Sequence, residues 1–384
     1  MGITVGIFCI ISIMSLIDSV KQSVISSLES LGGDVVFIQK FPWTFEQGQE
    51  YPWWKYVNRP NTSLIEFKKL EENCTLAEKI AYEADVSMSV SYLENKIEET
   101  SIGFISHDYN VLQNLNVEKG RYFSQMESNY GHNVALIGNM VAVDLFKKES
   151  PLEKYIKIGN KKVLIIGVLE KVGQSMTSNY DHLILLPLNY GKTIFNVEKC
   201  NPTILVSVKK GYSIENLSEE LTVLMRGLRR LSPYDEDNFA LNKASMIMKS
   251  MESIFQMLNV VGIFVGGFAM LVGGFGIANI MFVSVKERTK QIGIQKAIGA
   301  KSYIILFQFL SESVILCLIG GIVGLILVSI LMHISTLFLP FKFSLSFFNI
   351  IIGIVVSVAI GLISGFAPAR KAAKLNPIDA INYI

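Results

Sequence analysis

Residues 253–285 read SIFQMLNVVGIFVGGFAMLVGGFGIANIMFVSV, a run with no charged side chain between Glu252 and Lys286. A helix needs about 20 apolar residues to cross the hydrocarbon of a bilayer, so this run can span one and continue beyond it. Two more runs match it: 302–341, broken only by Glu312 and His333, and 343–369, between Lys342 and Arg370. A fourth, residues 2–17, ends at Asp18 and is marginal in length. Its rival reading is a cleaved signal peptide, but it has no basic n-region and no small-x-small cleavage site near residue 17. It reads as a span, and a cytoplasmic lead-in is expected before it. Composition agrees. Of 384 residues 50% are hydrophobic and 18% charged, with a net charge of +2, whereas an ordinary soluble domain carries about 25% charged residues. A disordered chain is excluded, a fully soluble enzyme is disfavoured, and no charge excess points to nucleic acid.

Lysine and arginine orient the spans. Lys286, Arg288, Lys290, Lys296 and Lys301 lie between the second and third runs, and Arg370, Lys371 and Lys374 follow the fourth. The link between the last two runs has only Lys342. Basic loops stay in the cytoplasm, which puts 286–301 and the C-terminus inside and residues 18–252 outside. Nine of the 35 basic and three of the 33 acidic side chains fall elsewhere, leaving the outer segment near −4. The plan is one span, a large outer domain, then three spans.

The outer segment mixes strand and helix signals. Residues 163–169 (VLIIGVL), 183–188 and 203–208 read as strands, with turns at Gly159-Asn160 and Gly211. Residues 212–231 read as an amphipathic helix through Leu217, Leu221, Leu224, Leu228 and Leu231. About 235 residues can bury a core and are expected to fold as two lobes. The stretch 41–60 holds Trp43, Trp53 and Trp54; it reads as a loop pinned to its own domain, with a partner or membrane-interface surface as the alternative. At the two ends, Ile17, Val20, Val24 and Leu31 (flanked by Leu28), and Leu241, Ala244, Met248, Met251, Phe255 and Leu258, recur at three-and-four spacing. Such seams suit left-handed helix packing, so the first two spans are expected to rise above the membrane as a stalk. The alternative is two amphipathic helices lying on the domain.

Catalytic chemistry is hard to find. No H-E-x-x-H, G-x-S-x-G or C-x-x-C occurs, and His107, His132, His182 and His333 are isolated. Gly191-Lys192-Thr193 resembles the end of a phosphate loop, but Leu186 stands where that motif needs its first glycine. Cys9 and Cys317 read as apolar filler within spans; a disulfide between Cys74 and Cys200 is the disfavoured option. Asn61, Asn73 and Asn216 open sequons that matter only in a eukaryotic secretory pathway. Glu312 lies about 15 Å along its helix from Lys301. An acid at that depth should face protein or water, and a structural hydrogen bond in the bundle is favoured over a proton relay. Gly262-x-x-x-Gly266, with Gly320, Gly321 and Gly324 and with Gly353, Gly361 and Gly365, marks closely packed helices rather than a wide pore.

Residues 277–301, IANIMFVSVKERTKQIGIQKAIGAK, and the stretch PARKAAKLNPIDAINYI from Pro368 resemble the permease subunits of MacB/FtsX/LolC-type ABC transporters. Asn279, Ile280, Met281, Val283, Glu287, Arg288, Ile292, Gly293, Lys296, Ala297, Gly299 and Ala300 carry the likeness. Gln308-Phe309-Leu310 with Glu312, Pro368-Ala369-Arg370, Ala372-Ala373 and Pro377 extend it. In the outer segment, Ser27–Asp34 (SLESLGGD), Gly120-Arg121-Tyr122-Phe123 and Val134–Gly138 with Leu145-Phe146 resemble the MacB-type periplasmic domain. The resemblance implies an α-helical membrane protein with four transmembrane helices and an α+β two-lobed periplasmic domain between helices 1 and 2. Residues 1–31 then form helix 1 and stalk, 32–240 the periplasmic domain, and 241–285 stalk and helix 2. Residues 286–302 form a cytoplasmic coupling loop, 303–367 helices 3 and 4, and 368–384 a cytoplasmic tail.

The resemblance further implies a bacterial inner-membrane protein working as a homodimer or heterodimer with a cytoplasmic ABC ATPase. That partner would bind ATP; no cofactor or metal is expected on this chain. A periplasmic adaptor and an outer-membrane channel are implied partners. Movement would pass up a stalk of Val20, Val24, Leu31, Met248, Met251 and Phe255, a process called mechanotransmission. The coupling residues would be Glu287, Arg288, Ile292, Gly293, Ile294, Lys296, Ala297 and Gly299. The bare residues agree, because a short basic segment showing Ile292, Ile294 and Ile298 suits a groove on another protein. Gln291 and Gln295 depart from the family's usual acid and arginine. Export of a drug, peptide or other substrate is the leading expectation. Lipoprotein release of the LolC/LolE type, an FtsX-type regulator of an external hydrolase, and an ATP-independent receptor or scaffold are the alternatives.

Overall fold

Neighbouring apolar residues in a strand point to opposite faces of its sheet, so a run such as VLIIGVL needs cover on both sides. The computed structural model, which describes residues 2–30, 33–44, 51–147, 149–172, 180–338 and 346–381, shows this arrangement. The chain opens with α1 (Gly2–Ser30), then β1 (Val35–Gln39), α2 (Trp53–Val57), α3 (Leu64–Asn73), β2 (Ala77–Tyr92) and β3 (Asn95–Ile105). Next come α4 (Tyr109–Leu112), β4 (Val117–Gly120), α5 (Gln125–Tyr130), β5 (Val134–Ile137), α6 (Asn139–Phe146), β6 (Tyr155–Ile158) and β7 (Lys161–Leu169). The sheet region closes with β8 (Leu183–Pro187), α7 (Leu188–Ile194), β9 (Thr203–Val208), α8 (Ile214–Leu228) and β10 (Ala240–Lys243). The long helices α9 (Ala244–Glu287), α11 (Ser302–Phe338) and α12 (Phe347–Ala373) follow, with α10 (Thr289–Ala297) and α13 (Pro377–Ile381) as short companions. The chain divides into two units, 24–251 and 1–23 with 252–384.

In the first unit the strands run in the order β10-β1-β9-β2-β3-β8-β5-β7-β4, and β6 pairs with β2 and β7. Two lobes were the expectation; the strands join along one connected path. The long strand β2 makes this connection, pairing with β9 through 77–83, with β3 through 83–92 and with β6 at Val90 and Ser91. Val36, Ile38, Tyr82, Ile204 and Ile184 enter one apolar layer, covered by Phe67 and Leu70 of α3, Leu145 of α6 and Leu217 and Leu221 of α8. Their neighbours Val35, Phe37, Ala81, Leu205 and Leu185 enter the other, with Tyr109 and Leu112 of α4. The amphipathic helix expected at 212–231 is α8, its N-cap Ser213 accepting a hydrogen bond from the Asn216 amide. Trp43 is pinned as the loop reading required: its indole donates to Gln39 Oε1 at 2.9 Å. Trp53 and Trp54 instead stand exposed. Cys74 and Cys200 are free thiols.

One acid in this unit is out of balance with its surroundings. Glu83 lies on β2 opposite Ile105 and Thr203, and burial pushes its carboxyl up to about 7, against the opposing pull of the Tyr109 hydroxyl. An unfolded glutamate titrates near 4.3. Between those values the native chain holds a proton that the unfolded chain has released, so stability falls as pH rises through the window. Glu83→Gln is expected to remove that slope, which amounts to about 4 kcal/mol at most. Urea unfolding at pH 5 and pH 8, followed by tryptophan emission, measures it. Equal slopes in both proteins would show that Glu83 is ionised at no cost.

The second unit holds the membrane-facing helices. Among the described residues, four helices are long and apolar enough to cross a bilayer: Thr4–Ser27, Ala244–Glu287, Ser302–Thr336 and Phe347–Ala373. Glycines set how closely they approach. Side chains of α1 fill the places where Cβ atoms would stand on α9, Ile13 at Gly262 and Ile10 at Gly266, which is the function expected of that small-residue pair. Gly361 of α12 likewise lies against Val314 of α11, and Ser313 donates from α11 to the Gly361 carbonyl at 2.9 Å. Near the other end of α12, buried Asn349 donates to Ser15 Oγ at 3.1 Å and to Asp18 Oδ2 at 2.9 Å on α1.

Candidate functional site

The segment linking α9 to α11 is the chain's most specific feature, and its geometry follows from a few side chains. α9 ends at Glu287 and α10 begins at Thr289, with Arg288 between them at φ −95° and ψ 13°. Backbone bonds continue across this joint, from Arg288 N to Ser284 O and from Ile292 N to Arg288 O, both 3.0 Å. The helix therefore bends without breaking. At the far end Gly299 has φ +103°, and the Ala300 amide reaches back to the Gln295 carbonyl at 3.0 Å. A left-handed residue is the usual way to end a helix and reverse the chain, and glycine adopts it without strain.

The two faces of α10 are sharply different. Ile292 is 2% exposed and shares a cluster with Met281 and Val285 of α9, Ile305 and Phe309 of α11, and Ala369 and Ala372 of α12. Thr289 and Gly293 are also buried. Ile294 and Ile298, by contrast, are 49% and 83% exposed. Three isoleucines were expected on view; Ile292 is a core residue, because at this point small alanines on α12 admit its side chain. Glu287 and Ala297 are exposed.

Lys296 is engaged within the chain. Its ammonium donates to the Ala373 carbonyl at 2.6 Å and to the Leu375 carbonyl at 2.7 Å, at the C-terminus of α12. Those carbonyls lack helix partners and carry the negative end of the helix dipole, so the contact is charge-assisted twice over. Lys296 thus clamps α10 to the last span. Arg288 makes a second tie, to Glu312 Oε2 of α11 at 3.2 Å; the structural bond expected for Glu312 runs to this loop. α13 packs beside α10 and leaves Ile378 73% exposed. The expected tail thus contains a helix, and Pro377 at its first position is a helix start signal.

Of the expected stalk residues, Val24 and Phe255 are buried at 6% exposure each, Val20 and Met251 are half-buried, and Met248 is 39% exposed. Leu241 sits on β10, so the helical seam begins at Ala244. Leu31 lies outside the described residues.

Among the described residues, four helices of spanning length, a sheet unit inserted after the first, and a short helix tied to the ends of the last two define a polytopic membrane protein. A family profile described as the MacB-like periplasmic core domain matches residues 1–224, and one described as FtsX-like permease C-terminal matches residues 263–377. The chain belongs to this family of ABC transporter permeases. The macrolide export ATP-binding/permease protein MacB of Bdellovibrio bacteriovorus is 31% identical over 100% of this chain and 58% of that protein. The ABC transporter permease YknZ of Bacillus subtilis is 33% identical over 77% of this chain and 73% of its own. MJ1507 of Methanocaldococcus jannaschii, an ABC transporter permease, is 28% identical over 99% of this chain and 92% of that one. The chain spans 58% of the Bdellovibrio MacB that it matches along its whole length.

Proposed function

We propose that this chain is the permease subunit of a MacB-type exporter in a bacterial inner membrane, with its sheet unit in the periplasm. A cytoplasmic ATPase outside residues 1–384 binds and hydrolyses ATP and docks on the exposed face of α10. The observation that carries the reading is the division of labour on that helix. Ile292 and Lys296 fix it to the ends of the spans, while Ile294 and Ile298 remain free to fill a partner's groove. A push on α10 is delivered directly to α9, which continues without interruption from Ala244 to Glu287. That continuity makes α9 a lever, and movement of the stalk around Val20, Val24, Met248, Met251 and Phe255 is the means by which ATP turnover reaches the periplasm. A dimer of permeases, a periplasmic adaptor and an outer-membrane channel complete the proposed machine. Its cargo is a drug, peptide or other periplasmic substrate.

Topology is the first test. In a variant stripped of Cys9, Cys74, Cys200 and Cys317, a cysteine at exposed Asn129 should react with a membrane-impermeant maleimide in intact cells. One at Ile298 should react only after the membrane is opened. The reverse pattern would overturn the assignment of ATPase docking to α10.

A further inference from the structure

Between α9 and α12 lies an apolar groove of about 810 Å³, a volume typical of ligand sites. Large apolar side chains form its walls, among them Phe264, Phe268, Leu271 and Phe275 on α9 and Ile360 and Ile363 on α12; the helices touch at Gly274, where a Cβ would meet Ser364 Oγ at 2.7 Å, and space opens at Gly267. A Cβ placed on Gly267 would meet nothing within 4 Å, so no side chain of this chain fills the slot there. Helical spacing then decides what its end looks like. On α9 the row 274, 278, 282 continues at four-residue steps to Lys286; on α12 the row 360, 363, 367 continues to Arg370 and Lys371. All three cations are exposed, and none forms an ion pair among the described residues. Lys371 already stands over the groove's last ring, its ammonium 5.8 Å from the centre of Phe282.

We propose that this groove binds one anionic phospholipid, an acyl chain lying in the apolar slot beside Gly267 and the phosphate resting between Lys286, Arg370 and Lys371. The charge argues for that occupant. A helix from a second copy would fill the slot but leave three cations facing the inner headgroup layer unanswered, and a zwitterionic lipid would neutralise them less well. A basic pocket at the cytoplasmic end of spanning helices is the expected way to hold an acidic headgroup. The site rests on the membrane placement of α9 and α12 and not on the export reading. It would tie the lever helix to the last span, beside the Lys296 clamp.

Native mass spectrometry of the full chain, purified in neutral detergent and offered equal phosphatidylglycerol and phosphatidylcholine, tests the proposal. Phosphatidylglycerol should be retained about tenfold in preference. The triple variant Lys286→Gln, Arg370→Gln, Lys371→Gln should show no preference. Gly267→Leu should lower retention of both lipids several-fold with an unchanged melting curve, because the new side chain enters open space. Equal retention of both lipids by the wild type, or a preference that survives in the triple variant, would overturn the site. Complete disulfide cross-linking of two copies through Gly267→Cys, without bound lipid, would show that a second copy occupies the groove instead. The orientation experiment above uses neither lipid nor these residues, so its failure would be read separately.

Discussion

Replacing Ile294 and Ile298 together by glutamate is expected to abolish association with the ATPase while leaving the chain's own unfolding unchanged. At 49% and 83% exposure these side chains contribute little to the fold, and surface substitutions of this kind usually stay within about 0.5 kcal/mol. As anchors in a partner's groove each is worth roughly 2 kcal/mol, so the pair should weaken binding by at least about 100-fold. Co-purification and titration of the isolated ATPase measure the loss. The control is Ile292→Glu, which places a charge at a 2% exposed position and should damage the folding of the helical unit itself. If the Ile294/Ile298 variant binds as tightly as the wild type, α10 is not the docking element.

Lys296→Met is expected to separate assembly from coupling. The substitution keeps an apolar stem but deletes two donors, leaving the Ala373 and Leu375 carbonyls without the ammonium that now satisfies them. Hydrogen bonds to a charged group contribute about 1.5–3 kcal/mol each, enough to let α10 move independently of α12. Ile294 and Ile298 remain present, so the ATPase should still bind within about threefold and still hydrolyse ATP. Transport per ATP hydrolysed should fall more than tenfold. Lys296→Arg, whose guanidinium also donates, should recover part of it. A variant whose transport matches the wild type would reduce Lys296 to an ordinary surface contact.

The parts of the molecule that could be read from sequence are those where composition alone carries the signal. Gaps between charges located the spans because a bilayer tolerates few ionised groups. The apolar, β-branched runs at 163–169 and 203–208 located strands whose residues are mostly buried. β2 escaped notice because AEKIAYEADVSMSVSY mixes charge and apolar groups without clean alternation; its first half lies against β9 and its second half against β3, so no single pattern runs through it. Leu241 fitted a helical seam by spacing, yet pairing with Ile38 of β1 holds it in a strand. The Lys296 clamp was illegible for a different reason. Its acceptors are main-chain carbonyls at 373 and 375, and a carbonyl leaves no trace in residue identity. Ile292 looked like its neighbours 294 and 298 until the alanines of α12 came beside it.

Work done by an ATPase on α10 should reach the far end of α9. Spin labels on cysteines at Val24 and Met251, in the assembled complex within a bilayer, measure it by electron–electron distance distributions. With ATP trapped on the ATPase the distribution should shift from its nucleotide-free position, and Lys296→Met should suppress the shift while hydrolysis continues. A distribution that stays the same while the wild-type complex turns over ATP would mean the stalk is a passive tether, and the lever account would be wrong.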